Sequence, residues 1–338
     1  MFISPTNITT GTNTTLTHTG AAGCLLDQYP GADVAYSLRR LISTYNGPIC
    51  RVRRESDDIE ADVHFDSRGG YSLESPVDNF SSASSSTVLG EFANSGGIYS
   101  NPDSETGGQD MWMTVWYDQT QGANTVGVAS DGRNGRVTTA SKQPRMLNGG
   151  NLSYATGGTA AGVPAGYLDG YNNLYGNPWG TIAHPNTVTQ VGQQLQHDTN
   201  RYWWTGTTSV TRNIVGSFWS GNDSGLYAGG DGGDPDSFLT IDDSNEIDGN
   251  KIRYGLFNGS NSAFSLTDIY GDTTDIYGAL GSNSQYGARC FAKYNGGGSA
   301  NMYGYFNECI FWPVNVSSGS PLLSANLISQ LNDYYQIN

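Results

Sequence analysis

Short runs of alternating apolar and polar residues, separated by Gly, Asn, Asp and Ser, recur along this chain and limit its fold more than any other feature. Such a run packs one face on a core and turns the other to solvent, as antiparallel strands do. The clearest run, residues 111–119, has apolar groups on both faces and predicts a central strand buried on both sides. The other predicted strands are residues 49–54, 87–92, 217–219, 238–241, 252–257, 276–280, 288–294 and 302–312. The pattern predicts an all-β fold, a β-sandwich or jelly roll with long loops.

Helical spacing is found in two places. Asp33 is a suitable N-cap for an early helix, and Gly47 and Pro48 would end it. The apolar stripe of this predicted helix is Val34, Leu38, Leu41, Ile42 and Tyr45. A short C-terminal helix is predicted to begin at Ser320 and Pro321, because Pro suits the first turn of a helix.

No linker or repeat divides the 338 residues, so one domain is expected over residues 21–338. Residues 1–20 form a Thr-rich arm. This arm is interpreted either as a disordered terminus or as a segment that docks on a neighbouring subunit.

The formal net charge of −15 argues against nucleic acid and anionic membranes as partners, since both attract positive surfaces. No apolar run reaches the length of a membrane span, and the N-terminus lacks the pattern of a secretory signal. Cys24, Cys50, Cys290 and Cys309 lack zinc-site spacing, and both free thiols and two disulfides remain open.

Charged residues are concentrated in residues 33–66, which hold five of the sixteen basic residues followed by a run of acids. The group predicted to form one charge network is Arg53, Arg54, Asp57, Asp58, Asp118 and Arg145. A catalytic site is one interpretation of this group; bidentate pairs that brace a loop are the favoured one. Glu308 lies in an apolar strand, and it is interpreted as the partner of an arginine rather than as a buried acid.

Two further groups are candidates for ligand contact. Asp231, Asp234 and Asp236 lie in a Gly-rich loop that offers oxygen ligands for calcium, with a solvated acidic loop as the alternative. Two aromatic clusters are placed in loops, where they would contact a glycan or a partner subunit or fill the core. Their members are Tyr167, Tyr171, Tyr175, Trp179, Tyr202, Trp203 and Trp204.

Several stretches occur in an order that resembles one family: AYSLRRLISTYNGP, RVRRESDD, WYDQ, KQPRM and YFNECIFWP. They resemble the arabinofuranosidase-B-type jelly roll, a concanavalin-like (laminin-G-like) sandwich that is also found in phage and other viral structural proteins. The resemblance implies a retaining glycosidase with a Glu nucleophile and an Asp acid. However, Ser282 stands where the acid is expected, and residues 226–230 contain no Glu.

The resemblance therefore implies that the sandwich is kept and the chemistry is lost. The leading hypothesis is a non-enzymatic virion structural or adhesion protein, either a capsid decoration or a tail or fibre component. It would be a homo-oligomer on the virion surface, assembled in the host cytoplasm, and would contact other virion proteins and a host-surface glycan. If the protein is not viral, an extracellular location is expected. No cofactor is expected apart from the calcium candidate, and the alternative function is an α-L-arabinofuranosidase.

Overall fold

The computed structural model describes most of the chain from residue 24 to residue 335. The described residues are 24–94, 108–120, 133–157, 160–175, 181–196, 201–206, 213–218, 223–228, 238–242, 249–268, 270–280, 285–286, 289–291, 301–316 and 321–335. The Thr-rich arm of residues 1–20 lies outside them.

Strands dominate the described residues. The first twelve are β1 (Val34–Ser37), β2 (Cys50–Arg54), β3 (Glu60–Val63), β4 (Val77–Asp78), β5 (Met111–Trp116), β6 (Gly135–Arg136), β7 (Arg145–Asn148), β8 (Asn151–Leu152), β9 (Tyr154–Gly157), β10 (Ala160–Pro164), β11 (Gly166–Asp169) and β12 (Leu174–Tyr175). The others are β13 (Thr181–Ile182), β14 (Asn186–Gln194), β15 (Arg201–Thr205), β16 (Asn213–Phe218), β17 (Asp223–Ala228), β18 (Phe238–Asp242), β19 (Lys251–Phe257), β20 (Ser262–Thr267), β21 (Thr273–Gly278), β22 (Gln285–Tyr286), β23 (Arg289–Cys290) and β24 (Tyr303–Trp312). The helices are α1 (Leu25–Gln28), α2 (Leu89–Ala93) and α3 (Pro321–Tyr335).

Most of the strands form two antiparallel layers, while β9 with β10 and β13 with β22 form separate two-stranded sheets. The larger layer has the order β4-β3-β2-β5-β7-β11-β24-β14-β19-β20-β21, with β1 on β24 and β8 on β7. The smaller layer has the order β6-β12-β23-β15-β16-β17-β18, and β6 joins it to β5 at one edge. The predicted all-β sandwich is therefore confirmed.

The main core lies between the two layers and is rich in aromatic rings. Trp204 of the smaller layer stacks on Phe311 of the larger one, with 5.5 Å between ring centroids and 11° between planes. Close approach of the layers also requires Gly255, since a Cβ at this position would lie 2.6 Å from Cδ2 of Leu226. The layers are thus held by interlocking side chains, as close-packed interiors are.

A second apolar cluster lies on the outer face of the larger layer, the face turned away from the smaller one. There Leu327 and Leu331 of α3 pack with Ile310 and Trp312 of β24. The register between β14 and β24 slips at Asn307, so that Phe306 points to the main core while Glu308 joins the outer face. A bulge of this kind re-aims the side chains that follow it. Helix α3 covers only one half of the outer face, and the other half carries the candidate site.

Most sequence-based element predictions hold. The strands over residues 49–54, 111–119 and 302–312 and the C-terminal helix are confirmed. The predicted strand at residues 87–92 is wrong, because this segment holds helix α2. The Glu91 carboxylate accepts bonds from the backbone N–H of Thr87 (2.7 Å) and its hydroxyl (2.8 Å), which stabilises the start of the helix.

The predicted helix after Asp33 is also wrong. Residues 34–37 form strand β1, which pairs with β24 from Val34 opposite Phe311 to Ser37 opposite Glu308. All four residues of β1 are buried, because it is covered on both faces. Val34 faces the main core and Ala35 faces the second cluster. Tertiary pairing outweighs the helical spacing of the apolar residues here.

Candidate functional site

Five side chains lie on adjacent strands and cross the half of the outer face that α3 does not cover. In order they are Arg53, Trp112, Arg145, Tyr167 and Tyr305, each directly opposite the next. We call them the outer-face row. Their chain neighbours, such as Met113, Met146 and Leu168, belong to the main core, so the row faces away from it. With about 4.8 Å between strands, the row spans roughly 19 Å.

Aromatic rings form the centre of the row. The ring of Tyr167 lies 5.3 Å from that of Tyr305 and 6.0 Å from that of Tyr303, and the Arg145 guanidinium lies 4.9 Å from its centroid. Partial burial raises the pKa of Tyr167 above its ordinary value, and its hydrogen bond with Tyr303 raises it further. These contacts hold the rings at fixed positions while all three remain half-exposed.

A cleft of about 600 Å³ lies at one end of the row and shares Arg53 and Trp112 with it. The other lining residues are Glu55, Ala140, Ser141, Lys142, Asp169, Tyr171 and Asn301. Tyr171 is 66% exposed, and its backbone N–H donates to Oδ1 of Asp169 at 3.0 Å. The cleft therefore combines exposed aromatic surface with carboxylate, hydroxyl, amide and ammonium groups.

The predicted charge group is divided into separate pairs. Arg53 Nη1 donates to Asp58 at 2.5 Å and its Nε donates to Gln143 at 2.8 Å. Arg54 binds Asp57 with two bonds of 3.0 and 2.6 Å. The Arg54 guanidinium lowers the pKa of the Asp57 carboxyl, the largest of several effects on it. These pairs close the β2–β3 turn.

Asp118 binds the backbone of β1. Its Oδ1 accepts from the backbone N–H of Ala35 at 2.8 Å, and its Oδ2 accepts from the hydroxyl of Thr120 at 2.8 Å. The next residue, Gln119, donates to the carbonyls of Ser37 and Arg39 at 3.2 and 2.8 Å. The WYDQ stretch thus anchors β1 and the segment that follows it.

Arg145 differs from the other arginines of the predicted group. Among the described residues it has no acidic partner, and its buried Nε has no acceptor. Its guanidinium contacts the ring of Tyr167 instead. Lys142 of the neighbouring cleft likewise has no ion pair within the described part of the chain.

Glu308 is buried and engages four donor groups on the half of the outer face that α3 covers. Its carboxylate accepts from Arg39 Nε (2.7 Å) and Nη2 (3.1 Å), from the Ser37 hydroxyl (2.8 Å) and from the Tyr335 hydroxyl (2.9 Å). Arg39 also stacks on Tyr334 at 4.2 Å. Its partner is therefore Arg39, which the sequence did not single out, and the group ties α3 to the sheet.

The aromatic candidates lie in different places. Tyr167 and Tyr171 lie at the row and the cleft. The loop placement of Tyr202, Trp203 and Trp204 is wrong: they form part of β15, with 7%, 0% and 0% of their surfaces exposed. They fill the interior and do not reach a ligand. The loop placement of Tyr167 and Tyr175 is wrong as well, because Tyr167 belongs to β11 and Tyr175 to β12.

The remaining candidates add no site. Trp179 and the calcium candidates Asp231, Asp234 and Asp236 lie outside the described residues. Within the described part of the chain, no group of His, Cys, Asp and Glu side chains is arranged to hold a metal ion. Cys24, Cys50, Cys290 and Cys309 are free thiols. Among the described helices, none has the length and apolar character needed to cross a bilayer.

Sequence reasoning missed three aromatic residues of this surface: Trp112, Tyr303 and Tyr305. All three lie in strands, whereas contact residues were expected in loops. The signal was present in the period-two alternation of residues 111–113 and 303–306, where outward-facing aromatic residues alternate with core residues.

Comparison with known proteins supports the fold. No protein-family model matches the chain, and no curated protein matches it in sequence. The structure is similar to a GH54 α-L-arabinofuranosidase soaked with a cyclic sulfate inhibitor, with a TM-score of 0.58 and 11% identity over 92% of this chain. It is also similar to an arabinofuranosidase complexed with arabinofuranosyl-α-1,2-xylobiose, with a TM-score of 0.55 and 13% identity over 92% of this chain. The chain spans 64% of the length of both enzymes. The β-sandwich is thus shared with these arabinofuranosidases.

Proposed function

We propose that this chain is a non-enzymatic adhesion or structural protein of a virus particle and that it binds glycans along the outer-face row. One observation carries the proposal. Arg53, Trp112, Arg145, Tyr167 and Tyr305 form a continuous aromatic and polar strip on the only half of this face that α3 leaves open within the described residues.

The chemistry of the strip suits a sugar chain. A sugar ring presents C–H groups on its faces and hydroxyls at its edge, so it stacks on an aromatic face and hydrogen-bonds to polar neighbours. Tyr167 and Tyr305 provide ring surface. Glu55, Asp169 and Asn301 at the cleft provide polar groups for hydroxyls. A few fixed polar groups around apolar surface are typical of ligand sites.

The absence of catalysis is supported by the sequence and by one carboxylate. Ser282 stands where the resembling enzymes have their acid, although residues 281–284 lie outside the described residues. The Glu308 side chain is 0% exposed and bonded to Arg39, so a sugar does not reach it. The adhesion role on a virion, with other virion proteins, further copies of the chain and a host glycan as partners, rests on the motif resemblance and on the acidic composition.

A second candidate function is hydrolysis, because two carboxylates, Glu55 and Asp169, line the same cleft. A retaining glycosidase needs two carboxyl groups about 5 Å apart, with one as nucleophile and one as acid. Asp169 accepts a hydrogen bond from the backbone of Tyr171, which indicates a role in shaping the turn.

One experiment separates binding from hydrolysis. The purified chain is screened against an array of plant, bacterial and animal glycans, and each bound glycan is then incubated with the protein and analysed for released sugar. We expect retention of at least one glycan class with no release. Release of sugar that is lost in both Glu55→Gln and Asp169→Asn would establish hydrolysis instead. Failure to retain any glycan would contradict the proposal.

A further inference from the structure

From the charges on the outer-face row we infer that the glycan it binds is acidic and that Arg145 receives the carboxylate of a sugar residue. This inference rests on the proposed glycan-binding function and names its substrate class. It concerns the centre of the row, where a cation lies between Trp112 and Tyr167.

The first step is the lack of a partner for Arg145. Where a guanidinium is partly buried in a protein, a carboxylate usually neutralises it, because an unpaired buried charge is costly. Arg39, Arg51, Arg53 and Arg54 all have such partners here. Arg145 has none among the described residues, although the chain carries fifteen more negative than positive charges. The Arg145 guanidinium at the centre of the outer-face row therefore has no counter-charge among the described residues, although the chain as a whole is strongly acidic.

The second step is the orientation of the guanidinium. Its centre lies 4.9 Å from the Tyr167 ring centroid, and this contact fixes it without using its N–H groups. Nε of Arg145 is buried and has no acceptor, and its two Nη groups have no hydrogen-bond partner among the described residues. Paired N–H groups of this kind bind a carboxylate with two parallel bonds.

The third step is the distribution of the other charges. Lys142 adds a second cation at the neighbouring cleft, and no described acid pairs with it. The acids Glu55 and Asp169 lie at the cleft. Glu55 directly follows the end of β2, and Asp169 lies on β11, two positions after Tyr167. They suit hydroxyl donors. The anion is therefore expected at Arg145 and the neutral part of the glycan along the tyrosines and the cleft.

The test compares two oligosaccharides that differ only at C6 of each sugar, which is a carboxylate in one and a hydroxymethyl group in the other. The probes are a tetramer of galacturonic acid and its carboxyl-reduced counterpart, and the dissociation constant of each is measured by calorimetry. For the unmodified chain we expect the acidic form to bind at least about tenfold more tightly, as one charge-assisted bidentate contact allows. Equal binding of the two forms would overturn the inference without the need for any variant.

Variants then locate the effect. Arg145→Gln should weaken binding of the acidic form at least about tenfold more than binding of the reduced form, whereas Arg145→Lys, which keeps the charge but loses the planar fork of N–H groups, should keep part of the preference for the acidic form. Arg68→Gln is the charge-matched control, since Arg68 lies away from the row in a pair with Asp66. An equal loss with both glutamine variants, or an equal loss for both ligands, would contradict the assignment.

The failure of this inference differs from the failure of the proposed function. If a neutral glycan binds in a manner that depends on Tyr167 and no uronic acid binds more tightly, the substrate class is wrong and glycan binding stands. If neither kind of glycan binds, both proposals are wrong. A sulfated oligosaccharide serves as a third probe, and tighter binding of sulfate than of carboxylate would overturn the carboxylate assignment.

Discussion

Glu308→Gln provides a sharp test of the difference between a buried structural acid and a catalytic one. The substitution keeps the size of the side chain and removes its charge, which leaves Arg39 buried without a counter-charge. The two side chains are 0% and 6% exposed, and their closest atoms are 2.7 Å apart. Breaking one side of a buried pair costs about 3–5 kcal/mol. We expect the free energy of unfolding to fall by that amount.

The control is Glu60→Gln. Glu60 pairs with Arg51 at a similar distance, 2.6 Å, but its side chain is 32% exposed. Solvent screens such a pair, so the expected loss is only about 0–1 kcal/mol. The pair of Arg39 and Glu308 should also be strongly coupled. The double variant Arg39→Met with Glu308→Met should lose at least about 2 kcal/mol less than the sum of the two single variants.

The assay is chemical denaturation followed by tryptophan fluorescence, together with glycan binding measured well below the unfolding midpoint. We expect Glu308→Gln to lose stability and to retain binding, because the pair lies under α3 and not on the row. A loss below about 1 kcal/mol, or additive effects in the double variant, would refute the structural account. Sugar release that disappears in this variant would assign Glu308 a catalytic role instead.

Three further results are expected. Gly166→Ala should destabilise the protein by about 1–3 kcal/mol and weaken glycan binding, because a Cβ at position 166 would lie 2.1 Å from Cζ of Phe306. An unchanged unfolding curve would contradict this packing. Burial acts to raise the pKa of Asp66, but backbone and side-chain bonds, first that from Gly70, leave it below its ordinary value of 3.8. The Asp66 carboxylate therefore stabilises the fold above pH 3.8, and this stabilisation is lost as the pH falls through the folded pKa. Asp66→Asn should reduce the loss of stability between neutral and acid pH. The same loss in the variant and the unmodified chain would contradict this. Burial and the Asp62 carboxylate raise the pKa of Tyr117 above its ordinary 10.0, so the contribution of this hydroxyl to stability is present below pH 10.0 and is lost as the pH rises through the folded pKa. Tyr117→Phe should therefore remove a late-ionising tyrosine from the alkaline absorbance titration. An identical titration for the variant and the unmodified chain would refute this.

The strands and the sandwich could be predicted because each depends on local alternation. Residues 50–54 show this directly, since Cys50 and Val52 are buried while Arg51 and Arg53 are partly exposed. The segment after Asp33 could not be predicted in the same way. Its apolar residues fit a helix, and it becomes a strand only because β24, nearly three hundred residues away in the chain, pairs with it.

The site could be predicted only in part, because it is built across strands that are distant in sequence. Tyr167 and Arg145 were identified as candidates for different reasons, and nothing local to either residue shows that they are adjacent. Their pairing follows from the register of β7 and β11. For Trp203 and Trp204 the error is of the opposite kind. As large aromatic residues they were candidates for ligand contact, but both are fully buried in β15.

Glycan binding along the outer-face row is tested most directly by Tyr167→Ala, with Tyr277→Ala as its control. Tyr277 lies on β21, is 72% exposed and is not part of the row. Calorimetry with the glycan that the array retains should show affinity reduced roughly tenfold or more by Tyr167→Ala and unchanged by Tyr277→Ala. Equal affinity of both variants and the unmodified chain would show that the row does not bind the glycan.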